Sequence, residues 1–125
     1  MIVTTTPTVD GYHILGYYGI VFGEVIVSID SLDNIGLGSA MGTNPKHHEQ
    51  KLVLARQQAL QEMEQRASEL EAHAVIGVDL DYEVLDRENM MLVTASGTAV
   101  QLISTAQLKR EKERHKALEN PITPI

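Results

Sequence analysis

The chain has 125 residues, 43% hydrophobic and 4% aromatic, with no cysteine, so a single domain with a modest core is expected. Disulfides, thiolate metal ligands and a cysteine nucleophile are excluded. The net charge of −7 is uneven: residues 1–103 hold 5 Lys/Arg against 14 Asp/Glu and residues 104–125 hold 5 against 3, so the body repels phosphate backbones and no nucleic-acid partner is expected.

The first thirty residues read as strand. Tyr12 to Tyr17 and Ile20 to Ile29 are rich in β-branched and aromatic residues, punctuated by Gly11, Gly16 and Gly19. Val21, Val25, Val27 and Ile29 make one face, yet Ile20, Phe22 and Ile26 make the other nearly as apolar. A two-layer monomer would leave one of those faces in water, and association with further copies is the simplest remedy. Ser31 to Asn44 follows as a loop without periodicity, carrying Gly36, Gly38 and Gly42. It lacks the Gly-Lys-Ser/Thr ending of a phosphate loop and the glycine spacing of a dinucleotide site, so a linker is expected.

A helix is predicted next. Thr43 or Asn44 can cap it, Pro45 suits its first position, and it runs to about Glu71. Leu52, Ala55, Ala59, Met63, Ala67 and Leu70 recur at spacings of three and four and form one stripe of mostly small side chains. His73, just past its end, is favoured there as a cation by the helix dipole. His47 and His48 lack a His, Asp or Glu three or four residues on, so the helix-borne zinc pattern is absent. His13 and His115 are isolated.

A β-hairpin follows, turning at Asp86-Arg87-Glu88-Asn89. Leu85 opposite Met90 sets Leu80 against Ala95, Tyr82 against Val93 and Asp79 against Ser96; Val78 would face Gly97. Alternation places Ala74, Ile76, Val78, Leu80, Tyr82 and Val84 on one side and Asp79, Asp81 and Glu83 on the other. Gly97 and Ala95 leave room for the helix. The final segment, Thr105 to Glu119, reads as a charged helix able to pack on a neighbour through Leu108, His115 and Leu118, followed by a frayed end. A helix on one face of an antiparallel sheet makes an α+β two-layer domain.

Asp79, Asp81 and Glu83 are the metal-site candidates. Same-face carboxylates on a strand lie about 6.6 Å apart, so one divalent cation could bridge two of them, with Thr94 and Ser96 adding oxygen ligands. The bland reading is the solvated face of an exposed sheet. No nucleophile elbow or Ser/His/Asp set is found, so no catalytic residue is assigned and the chain is not expected to be an enzyme. The alternative is a small-ligand carrier, or an enzyme whose site forms between subunits around Tyr12, His13 and Tyr17 and the Gly-rich loop of another copy. No apolar run reaches the roughly 20 residues of a membrane helix. The start, Met1 to Thr6, lacks the features of a signal peptide, so a cytoplasmic location is expected.

Three blocks carry a family resemblance: Thr4-Thr5-Thr6-Pro7-Thr8-Val9-Asp10-Gly11-Tyr12, Ala74 to Glu83, and Ala95-Ser96-Gly97-Thr98-Ala99-Val100. With the helix between them, residues 1–103 resemble the YbjQ-like family, uncharacterised bacterial proteins described as "putative heavy-metal-binding". The resemblance implies a dodecin-like α+β subunit that assembles into a ring, a homopentamer. It separates a domain at 1–103 from a charged extension at 104–125. The chain departs from the family pattern in its short Gly-rich loop and in Glu71-Ala72-His73 before the strand. Without cysteine, soft heavy-metal binding has no usual ligand.

Overall fold

The computed structural model describes residues 1–28, 45–85 and 89–119, the side chains of 45–48 excepted. The Gly-rich loop, the proposed Thr43/Asn44 cap, Ile29, the side chains of His47 and His48, residues 86–88 of the hairpin turn and the expected fraying after Glu119 lie outside the described residues. The elements run β1 (Ile2–Val3), β2 (Tyr12–Ser28), α1 (Pro45–Glu69), β3 (Ala74–Leu85), β4 (Met90–Ser104) and α2 (Thr105–Glu119). They build a four-stranded sheet in the order β1-β3-β4-β2, with α1 laid on one face, an α+β arrangement. The sheet is mixed rather than purely antiparallel, because β1 joins β3 in parallel through Ile2 and Val3.

Helix α1 presents its small residues to the sheet. Ala55, Ala59, Met63 and Ala67 are buried against Val21, Val75, Val93, Ala95 and Ala99. Burial of the Met63 side chain alone is worth about 2 kcal/mol. The contact is a backbone approach at Gly23: a Cβ there would lie 2.8 Å from both the Ala59 carbonyl carbon and the Met63 nitrogen. Two cationic side chains reach from α1 to carbonyls of the outermost strand: Arg66 Nη1 donates to Phe22 O at 2.7 Å, and Lys51 Nζ to Ser28 O. The helix therefore lies over β2 and β4, with little contact to β3.

Helix α1 ends two residues before the predicted Glu71. Ala72 N–H donates to Ala67 O and Glu71 N–H to Ser68 O, at 3.1 and 2.9 Å, the two bonds of a Schellman cap. Glu71 occupies the left-handed position, φ 61°, that this cap needs. Leu70 accordingly leaves the stripe and stands 43% exposed. His73 turns to the sheet: its Nδ1 accepts the Leu102 N–H at 2.9 Å, which ties the ring to β4.

The hairpin register holds from Leu85–Met90 to Asp79–Ser96 as predicted, then shifts by one residue between Asp79 and Ile76. Gly77, at φ 59°, makes the bulge, and the amides there turn to the N-terminal segment: Gly77 N–H donates to Thr6 O and Val78 N–H to Thr4 O. The predicted Val78–Gly97 pair falls in this bulge and is not formed as a regular pair. The extra residue also reverses the strand's faces. Val75 packs in the helix-side core with Val78 and Leu80, whereas Ala74 and Ile76 join Val100, Leu102, Val9 and Ile14 in a second cluster. The predicted single apolar side from Ala74 to Val84 is thus two half-sides on opposite faces. Strand β2 carries two further register shifts, at Ile14/Gly16 and Tyr17/Gly19, which bend and twist it.

Candidate functional site

Register across the three long strands assembles the open face, away from α1, in rows. Phe22, Ser96 and Asp79 form one, Glu24, Thr94 and Asp81 the next, and Ile26, Leu92 and Glu83 a third. The face is divided: β3 contributes carboxylates and β2 contributes apolar side chains, with Ile20 68%, Phe22 41% and Ile26 62% exposed. Strands β2, β3 and β4 contain no Lys or Arg, so nothing in the sheet balances Glu24, Asp79, Asp81 and Glu83.

Asp79 and Asp81 meet as the alternation predicts. The negative charge of Asp79, aided by a hydrogen bond between the two carboxyls and by slight desolvation, raises the Asp81 carboxyl above the usual carboxylate range. Thr94 and Ser96 stand opposite as half-buried neighbours. Among the described residues no group of three His, Cys, Asp or Glu side chains is placed to hold a metal ion. One copy therefore offers two close carboxylates and hydroxyl oxygens, a partial set of hard donors. That chemistry fits Mg²⁺, Ca²⁺ or Mn²⁺ and does not fit a soft heavy metal.

Glu24 was not among the sequence candidates. It lies two strands from Asp81 in the same row, about 9.6 Å at 4.8 Å per strand. Its row is set by the continuous pairing of Gly19 to Ser28 with Ala99 to Met90, a contact between segments about 70 residues apart that no hairpin turn announces. Tyr12, His13 and Tyr17 sit at the other end of β2 beside the same shifts, with Tyr12 44% and Tyr17 71% exposed.

The helix side has its own unfilled surface. Because α1 covers β2 and β4, the far half of β3 is left bare, and Tyr82 and Val84 are 46% and 64% exposed. A cleft of about 460 Å³ runs between Tyr82 and the helix, lined by Glu49, Leu52, Val53, Arg56, Tyr82 and Met91. Helix α2, capped by Ser104 Oγ accepting the Gln107 N–H at 3.1 Å, buries no residue at all. His115 is paired with Glu119 at 2.8 Å, and Leu118 is 72% exposed. No helix among the described residues is long and apolar enough to cross a membrane.

The fold and these surfaces define an α+β sheet domain with apolar area left over on both faces. A family model described as "Putative heavy-metal-binding" matches residues 1–103, and the chain belongs to that family, the YbjQ-like proteins. A UPF0145 protein of Bifidobacterium longum is 51% identical over 109 residues, covering 85% of this chain and 99% of the relative. A UPF0145 protein of Listeria monocytogenes is 52% identical over 103 residues, covering 80% and 94%. Neither name carries a catalytic activity. A crystal structure of a DUF74-family protein of unknown function from Pediococcus pentosaceus aligns over 82% of this chain and 98% of its own, with 19% identity and a TM-score of 0.49.

Proposed function

We propose that the chain is the subunit of a cytoplasmic homo-oligomeric ring, a dodecin-like pentamer of the 1–103 domain with 104–125 as an appended extension, which takes up a divalent cation at its acidic faces. The observation that carries the cation reading is the mutual approach of Asp79 and Asp81, where the Asp79 charge and a hydrogen bond between the carboxyls raise the pKa of Asp81. A cation relieves that repulsion as a proton does. One copy supplies too few ligands for a closed site, so a ring that repeats the row would bring in carboxylates or waters to complete it. The exposed apolar residues on both faces support the ring, since a monomer would leave them in water.

Metal analysis of untagged protein after dialysis against Mg²⁺, Mn²⁺ or Ca²⁺, beside the Asp79→Asn/Asp81→Asn variant, tests this reading. Retention by the natural protein and loss in the variant are expected. Absence of bound metal, or retention by both, overturns it. Proton and cation compete for Asp81, so retention should weaken as pH falls through the raised range of that carboxyl. Tyr12 and Tyr17, exposed beside the β2 register shifts, favour a second reading in which a small ligand is held between subunits there.

A further inference from the structure

The two bare apolar surfaces lie on opposite faces of the sheet and near opposite margins. On the open face, β2 presents Ile20, Phe22, Glu24 and Ile26 as one line of alternate residues. On the helix side, the cleft between α1 and β3 presents Leu52, Val53, Tyr82 and Met91. Each surface contains a charge that the other can answer. Glu24 is the only acidic residue of β2, which has no Lys or Arg, and it sits among isoleucines and a phenylalanine. Arg56 is the only basic residue lining the cleft among the described residues. Both are exposed, and neither forms an ion pair among the described residues.

We infer that the β2 line of one copy seats in the α1/β3 cleft of the next, with Glu24 meeting Arg56. This rests on the ring reading above and names the contact that builds the ring. The interface is heterologous: each copy uses one patch as donor and a different patch as acceptor, the arrangement a cyclic ring is built from when its rotation closes. A face-to-face pair of β2 lines would instead set Glu24 near Glu24 and leave the cleft empty. Ile20, Phe22 and Ile26 on one side and Tyr82 and Val84 on the other are each about half exposed. At roughly 100 Å² per side chain they supply about 300 and about 200 Å², the apolar centre of a contact whose polar rim has to bring it to the ~800 Å² per partner of a specific interface. Glu49, two helical turns or about 10.5 Å from Arg56 along α1, is the other charge at the cleft among the described residues. It fixes direction, since Glu24 seated at that end would meet a like charge.

Charge exchange tests the contact. Light scattering should give the same assembled mass for the natural protein and for the double variant Glu24→Arg/Arg56→Glu. Each single reversal, Glu24→Arg or Arg56→Glu, should raise the concentration at which assembly is lost at least tenfold. Both sites are exposed, so far-UV circular dichroism of the singles should remain native. The neutral variants Glu24→Gln and Arg56→Gln should weaken assembly less. If the natural protein assembles and the single reversals match it, this contact is wrong while the ring stands. If the singles dissociate and the double variant does not recover, the Glu24–Arg56 pairing is refuted. A natural protein that stays monomeric removes the ring reading and this contact together.

Discussion

Gly23→Ala should be among the most damaging single-methyl changes this protein can suffer. Position 23 is where sheet and helix backbones meet: an added Cβ lies 2.8 Å from the Ala59 carbonyl carbon and from the Met63 nitrogen, and closer still to the Ala59 carbonyl oxygen. Ordinary carbon contacts start near 3.5 Å, so α1 must retreat by most of an ångström or more. No flexible side chain can give way, because every atom met is backbone. Retreat loosens the packing of Val21, Ala55, Ala59, Met63, Val93 and Ala95 together. Overpacking usually costs about 1–3 kcal/mol, and a clash between two rigid elements belongs at or above the top of that range. About 3 kcal/mol is a large part of a ~5–15 kcal/mol total, and should lower Tm by about 10 °C in a chain of this size. Thermal and urea unfolding followed by circular dichroism, at matched protein concentration, measure it. Gly16→Ala is the internal control: its Cβ would touch nothing within 4 Å and its φ is not left-handed, so its stability should stay within about 1 kcal/mol of the natural protein. Gly23→Ala equal to Gly16→Ala would refute the close-approach account of the helix.

Glu71→Gly should stabilise the protein by about 1 kcal/mol, because it relieves a left-handed non-glycine residue while keeping both Schellman bonds; an unchanged or lower urea midpoint contradicts this. His73→Ala should cost about 1 kcal/mol by removing the acceptor of the Leu102 N–H, and hydrogen exchange at Leu102 should accelerate selectively. Equal protection of Leu102 in both proteins would show that the imidazole bond is not made.

Much of this architecture is readable from residue order, and the failures have definite causes. The hairpin register follows from matching apolar and small residues across the turn, because a slip of one would put Asp79 and Asp81 against the core. The same alternation misassigns Ala74 and Ile76, since it assumes an unbroken period of two. Gly77 interrupts it, and a glycine inside a strand was the available sign. The helix stripe is right at Ala55, Ala59, Met63 and Ala67 and wrong at Leu70, where the Schellman cap ends the periodicity early. The parallel β1 is beyond pattern reading: Ile2 and Val3 are too short a run to announce a strand. Of the acidic face, Asp79 and Asp81 are legible because they share one strand. Glu24 is not, because its neighbours come from a long-range pairing of β2 with β4 that no turn between them sets.

The leftover apolar surface is the most consequential reading shared by sequence and structure. Ile20, Phe22 and Ile26 look surplus in the sequence and are bare in the folded chain. The structure adds the cleft beside Tyr82, on the opposite face, into which the proposed contact seats them. Light scattering of the untagged natural protein at micromolar concentration tests this account most directly. Five copies of 13.8 kDa predict a particle of about 69 kDa. A stable 13.8 kDa species would contradict it.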